Sequence, residues 1–422
     1  MNTTKNHKLN ISFLPLSFLC GIFTGVAVFL FKYFATYVIR FSKWAYTLSA
    51  QKPIYIPLLL LGITLVSGII HFILKTEPQV KGGGIPTAVK FIREGKSFNV
   101  IKNIILVPVS ALFTFLSGVP LGNEGPSVQL GCAMGEGVSK FSKKNIAENR
   151  SHIMSAGACA GFGVATGAPL SGILFSVEEI KGKISYKMMF SVIISTLTAA
   201  ATAKGLCYLT GAEYNLFHIE KNDVLPIKYI WIPIVVGLVT GLAVLFHRVL
   251  CTLYDALEKR WLHKINLFVK IEIILLVSAV PGLFSQMYIG TGHDIAHHLL
   301  EGESVGLLLL ISALILRIIM LTFANKTGIT GGLFVPSLAL GALIGIISAN
   351  VLGMMGVFPT EYSFILVIMG MTAFLGIRSK MPFVALLFAV EALNGLYNII
   401  PITLCVVAAQ CVIKISQLLK KK

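Results

Sequence analysis

A single carboxylate, Glu124, stands inside the run Gly122-Asn123-Glu124-Gly125-Pro126, with apolar sequence on both sides. On insertion scales a charged side chain at the centre of a membrane helix costs about 2.5–3.5 kcal/mol, so a carboxylate there is read as a working group. Two other runs share its construction: Gly82-Gly83-Gly84-Ile85-Pro86 and Gly332-Leu333-Phe334-Val335-Pro336 repeat the Gly-x-x-x-Pro spacing ahead of an apolar stretch. Glycine lets the backbone turn tightly and approach a ligand, and proline is tolerated in a first helical turn because its missing N–H would be unpaired there. Each run therefore reads as a helix start offering N–H groups and partial positive charge to an anion. Such ends would carry anions through a bilayer without burying a row of Lys or Arg.

The elements that must hold these groups are membrane helices. Hydrophobic residues make up 55% of the 422, charged residues only 13%, a balance that excludes a soluble domain of this size. Apolar segments recur along the whole chain, among them 84–93, 124–140, 168–180, 228–250 and 332–352. Several are shorter than the roughly 20 residues that span a hydrocarbon core, so they read as half-helices, re-entrant or strongly tilted. Backbone ends at membrane depth survive only where protein or a water-filled cavity surrounds them, so the interruptions point to a binding site.

The net charge is +17, with clusters at Lys140/Lys143/Lys144, Lys181/Lys183/Lys187, Lys259/Arg260/Lys264 and Lys414/Lys420/Lys421/Lys422. The positive-inside rule explains them better than a nucleic-acid patch, and it places both termini in the cytoplasm. Lys5 and Lys8 precede a long apolar run without a small-residue cleavage site, which predicts a span rather than a removed signal peptide. The seven cysteines are scattered singly in apolar stretches and imply neither a disulfide framework nor a zinc site. His293 and His297 have the i, i+4 spacing of metal ligands beside Asp294 and His298. The other half of the chain has no ligands at the matching run, so no metal is expected and these side chains are placed in a loop or a water-filled vestibule. Nothing in the chain calls for another cofactor.

The chain repeats itself. "GNEGPSVQLGCAMG" matches "GGLFVPSLALGALIG", and "APLSGILFSVEE" at 168–179 matches "MPFVALLFAVEA" at 381–392, pairing Glu178 with Glu391 and leaving Glu179 opposite Ala392. Gly82-x-Gly84 has an echo in Gly290-x-Gly292. The expected division is an N-terminal cytoplasmic segment 1–10, a first membrane repeat 11–211, a connecting loop 212–227, a second repeat 228–412 and a basic cytoplasmic tail 413–422. A carboxylate kept in both halves suggests structure, and one present in a single half suggests function.

"GGGIP", "GNEGP", "GGLFVP" and "APLSGILFSVEE", in this order and spacing, resemble the CLC family of chloride channels and chloride/proton antiporters, over nearly the whole membrane part of the chain. The resemblance implies an all-α integral membrane fold of two inverted-topology repeats with many short tilted or re-entrant helices. It implies a homodimer with one anion pathway per subunit; with no organelle-targeting signal evident, the cell (inner) membrane is the expected location. In that family Glu124 matches the gating glutamate, which is also the external proton site. Charged, it occupies the nest of N–H groups that would hold chloride; protonated, it loses that attraction and swings away. Glu179 matches the internal proton glutamate of the antiporters. Leu333 and Phe334 are the backbone anion donors that the resemblance nominates, with Gly83, Gly84 and Ile85 lining the inner side; Gly82, Pro86, Gly122, Asn123, Gly125, Pro126, Gly332, Val335 and Pro336 complete the anion motifs.

The chain departs from that pattern at three places. Gly83 replaces a serine whose hydroxyl would donate to the anion, Asn123 replaces an arginine, and Ile413 to Lys422 contain no tyrosine to supply a second hydroxyl. The central anion is thus expected to be held mainly by backbone N–H groups, with loosened selectivity. Exchange of chloride or a similar small anion for protons ranks first, a passive anion channel or a preference for nitrate or fluoride second. A membrane-embedded enzyme using Glu and His ranks third, since it would need a substrate cavity near His293. Replacing Glu179 by Gln should abolish proton coupling while anion movement persists; proton pumping at the wild-type rate in reconstituted vesicles would contradict the assignment.

Overall fold

The structure is a computed structural model describing residues 13–96, 98–141, 146–180, 185–217, 219, 221 and 223–419. Among these residues the chain forms helices arranged as two successive sets. The first set is α1 (Phe13–Gln51), α2 (Ile56–Thr76), α3 (Ile85–Glu94), α4 (Val100–Leu116), α5 (Glu124–Ser139), α6 (Ile146–Thr166), α7 (Pro169–Phe175) and α8 (Tyr186–Thr210). The second is α9 (Ile232–Arg260), α10 (Leu267–Gly282), α11 (His293–Glu301), α12 (Leu307–Thr327), α13 (Phe334–Met354), α14 (Ser363–Ser379), α15 (Pro382–Ala392) and α16 (Ile399–Leu419). Taken in order, short elements fall opposite short ones: α3 and α11 have 10 and 9 residues. Eight helices among the described residues are long and apolar enough to cross a membrane.

Side-chain size decides which helices lie innermost. At Gly131 on α5 an added methyl would strike the carbonyl of Gly157 on α6, and Gly341 and Gly370 repeat this contact between α13 and α14. The small residues let the backbones touch, as expected where lipid gives helices no hydrophobic reason to associate. Every residue from Phe364 to Ile377 on α14 is buried, whereas α2 turns Leu58, Leu61, Leu65 and Phe72 outward.

The two sets meet through contacts that occur twice with their partners exchanged, the mark of a two-fold relation. The Gly82 N–H donates to Gly328 O (3.0 Å), and the Gly290 N–H donates to Gly118 O (2.7 Å). Glu178 accepts from the N–H groups of Phe383 (3.2 Å) and Val384 (2.7 Å) at the start of α15. Reciprocally, Glu391 accepts from Leu170 and Ser171 at the start of α7, both at 2.8 Å. The glutamate common to both halves is thus a cap for the opposite half. Gly122 and Gly332 form an antiparallel backbone bridge, so the chain passes the two motifs in opposite directions and α5 and α13 leave the junction oppositely.

Two segments differ from their sequence expectation. The apolar run 168–180 is divided: α7 stops at Phe175 and Ser176–Ile180 widens into a π-helical turn, a local form often found at functional sites. The helix expected over 228–250 continues as α9 to Arg260, because its charged end finds partners in neighbouring helices: Lys326 pairs with Asp255 at 2.6 Å and Lys270 with Glu258 at 2.5 Å. Residues 1–10 and Lys143, Lys144, Lys181, Lys183 and Lys420 to Lys422 lie outside the described residues. Helix α16 continues through Lys414 to Leu419.

Each reciprocal cap replaces two water-exposed N–H groups by bonds to a charged acceptor, an interaction worth about 1.5–3 kcal/mol. Glu178→Gln and Glu391→Gln should each destabilise the purified protein in detergent by about that much, read as a lowered thermal midpoint. An unchanged midpoint in both variants would refute the capping role.

Candidate functional site

The site grows from the junction of the two halves. The Gly122 N–H donates to Gly332 O (2.8 Å) and the Gly332 N–H to Gly122 O (2.6 Å). This bridge sets the first turns of α5 and α13 tip to tip. Asn123 caps α5 and Leu333 caps α13; each offers its carbonyl to the serine four residues on, Ser127 (3.0 Å) and Ser337 (3.1 Å). The N–H groups of Glu124, Gly125, Phe334 and Val335 fall in first turns, where no intrahelical acceptor exists. Pro126 and Pro336 bring none to satisfy.

Glu124 lies across these tips. It is 1% exposed, and neither carboxylate oxygen has a hydrogen-bond partner among the described residues. A methyl on Gly122 would sit 2.5 Å from its Oε2, and one on Gly332 3.2 Å from the same oxygen. Both positions must therefore lack a side chain for the carboxylate to settle there. A buried, unpaired carboxylate is costly. What offsets the cost is the positive end of two helix dipoles.

The third motif closes the junction from its other side. In the loop Gly82–Gly84, φ is 85° at Gly82 and 77° at Gly84. A methyl at Gly84 would collide with Gly125 O, and one at Gly125 with Gly83 O, so the loop lies directly on the start of α5. Gly82, Gly83 and Ile85 are half-buried and Pro86 is exposed, whereas Glu124, Gly125 and Pro126 are buried. Phe334 packs edge-on against Phe162 and Phe388, both at 5.1 Å, and Phe162 stacks on Phe175 at 4.8 Å. Its side chain thus belongs to an aromatic wall reaching from the α13 tip to the segment that carries Glu179. That residue is half-buried on the π-helical turn, whose carbonyls at Glu179 and Ile180 accept from Arg93, both at 2.9 Å.

A cavity of about 490 Å³ opens onto Glu124, with Asn123 and Val335 in its wall. Glu179 is not among its lining residues, so the structure does not bring the two glutamates into one chamber. His293 and Asp294 do line it, in accord with the expected vestibule. His293 lies 3.4 Å from Asp294 and His297 3.4 Å from Glu301, so the i, i+4 histidines face separate carboxylates.

Sequence reasoning missed the cations of this cavity. Lys32, Arg40 and Lys43 of α1 line it. Lys43 is paired with Asp294, whereas Lys32 is half-buried and donates to the carbonyls of Val164 (3.1 Å) and Tyr214 (3.3 Å). The helix tips are thus not the only positive feature near the carboxylate: Lys32 shares the Glu124 chamber. A lone lysine in the apolar stretch of α1 was the signal, by the same reasoning that singled out Glu124.

Residues 62–414 match the family described as voltage gated chloride channel. The H(+)/Cl(-) exchange transporter ClcA of Citrobacter koseri is 26% identical over 409 residues, which cover 95% of this chain and 85% of that protein. ClcA of Klebsiella pneumoniae subsp. pneumoniae is 26% identical over 361 residues, covering 84% and 75%. Among solved structures, a slow cyanobacterial Cl-/H+ antiporter gives a TM-score of 0.81 at 20% identity, covering 95% of this chain and 93% of that one. A CLC-type fluoride/proton antiporter gives 0.76 at 20% identity, covering 94% of each.

The two bridging glycines make a contrast that can be measured. A methyl at Gly122 meets chiefly the Glu124 carboxylate, whereas one at Gly332 would also stand 2.6 Å from the Gly125 backbone nitrogen. Gly122→Ala and Gly332→Ala should each destabilise by about 1–3 kcal/mol, the usual cost of overpacking. Adding Glu124→Ala should recover the loss at Gly122 and not at Gly332. Equal recovery at both, or at neither, in thermal unfolding would show that the carboxylate does not lie over the bridge.

Proposed function

Because this chain belongs to the voltage gated chloride channel family, we infer that it moves chloride or a similar small monovalent anion across a membrane in exchange for protons, gated by Glu124. Glu124 carries this conclusion: its buried carboxylate lies over the paired helix tips with no other partner among the described residues, in the place where those tips would hold an anion.

The anion and the carboxylate compete for one place. A proton arriving through the water-accessible cavity neutralises Glu124 and removes its attraction to the helix tips. The side chain then leaves, and an anion takes the seat against the N–H groups of the α13 start, Leu333 and Phe334 among them. Gly83, Gly84 and Ile85 border the inner approach, and the remaining motif residues hold the backbone in shape. Glu179 receives the proton on the inner side. The aromatic wall of Phe162, Phe175, Phe334 and Phe388 runs from the α13 tip toward the segment of Glu179; on this reading protons cross it on transient water while anions take the route past Gly83. Names of relatives support the coupling, since two are H(+)/Cl(-) exchange transporters. The fluoride/proton antiporter of like fold makes the choice of anion a matter for measurement.

We further place the protein in the cell (inner) membrane as a homodimer, with both termini cytoplasmic and with repeats 11–211 and 228–412 joined by 212–227. The charge clusters and the family resemblance support this arrangement.

Proteoliposomes given a chloride gradient and no proton gradient decide between exchange and passive flow. The expected outcome is uphill proton movement that Glu124→Ala eliminates. Anion flux with no proton movement in the unmodified protein would instead establish a passive channel. Repeating the assay with nitrate and fluoride orders the anions.

A further inference from the structure

Asn325, near the end of α12, lies against the glycine loop that closes the junction. A Cβ built on Gly83 would be 3.9 Å from Asn325 Oδ1, 3.7 Å from Gly331 O and 4.0 Å from Leu333 Cδ1. The loop is fastened to the turn that follows Asn325, since Gly82 N–H donates to Gly328 O (3.0 Å) and Gly331 N–H to Gly82 O (3.2 Å). Amide and loop are therefore held in register. Both Gly83 and Asn325 are half-buried.

The polar side chains around it are already engaged. Thr327 donates to Phe323 O (2.9 Å), Thr330 to Val80 O (2.9 Å) and Ser337 to Leu333 O (2.5 Å). The Asn325 amide makes no hydrogen bond among the described residues, so its two N–H donors are unspent. A half-turn of the terminal torsion exchanges its oxygen and nitrogen at little cost. That turn brings Nδ2 to the position beside Gly83.

We propose that Asn325 is a ligand of the transported anion at the inner approach, supplying the side-chain N–H that Gly83 has no atoms to offer. The proposal rests on the transport reading given above. A neutral amide suits the role, because it binds a halide-sized anion without the permanent charge that would hold it too tightly to pass.

The test is isothermal titration of the purified protein with chloride, then with nitrate. Removing a hydrogen bond to a charged group should weaken binding about tenfold in Asn325→Ala. Asn325→Asp keeps the shape and replaces the donor by a carboxylate, so it should weaken binding further even if the alanine variant folds poorly. Gly83→Ser added to Asn325→Ala should restore affinity: Gly83 lacks the positive φ of Gly82 and Gly84, and its nearest neighbours leave room for a hydroxymethyl group. The proposal is overturned if both Asn325 variants bind chloride as the wild type does. It is also overturned if the loss is not relieved by Gly83→Ser, for Asn325 would then act on structure alone. Absence of chloride and nitrate binding in the unmodified protein would bring down the transport reading beneath it.

Discussion

Two backbone hydrogen bonds between Gly122 and Gly332 fix almost everything else at the centre of this protein. They join segments far apart in sequence, run them antiparallel and so present two helix starts to one small volume. Only glycine permits this, because the space a side chain would take is filled by the Glu124 carboxylate at Gly122 and chiefly by the Gly125 backbone at Gly332. The duplicated architecture follows from the same constraint. If α5 and α13 must start at one point and leave it in opposite directions, the halves that carry them must be related by a two-fold axis. The exchanged caps of Glu178 and Glu391 hold that relation away from the axis.

The junction reconciles burial of charge with an apolar setting. The Glu124 carboxylate faces partial charges distributed over fixed N–H groups, which would need no reorganisation if an anion took its place. Lys32 adds a whole charge, but at the cavity wall, with its ammonium bound to two carbonyls. A positive charge there would favour anions at the cavity entrance, in the manner of a charged cleft.

The parts legible in the sequence were those that follow from local physics or from repetition. Gly-x-x-x-Pro marked the starts of α3, α5 and α13 because glycine, proline and a helix start belong together whatever surrounds them. The repeat exposed Glu178 and Glu391 as a pair, and so predicted that their role is structural. What stayed hidden depends on contacts between distant segments. That the Phe334 ring packs was open from the sequence, but its partners were not: Phe162 and Phe388 lie on helices from both halves. The π-helical turn that breaks 168–180 has no periodic signal. Asn325 was invisible because only the bridge from Gly82 to Gly328 brings α12 beside the glycine loop.

Locating a heavy halide tests most directly whether helix tips or fixed cations hold the anion. Crystals of Glu124→Gln soaked in bromide should show an anomalous peak over the Gly122–Gly332 pair, between the first turns of α5 and α13, and the same peak should be weaker in the unmodified protein, where the carboxylate fills that place. Bromide found at Lys32 alone, with nothing over the glycine pair in Glu124→Gln, would contradict the account.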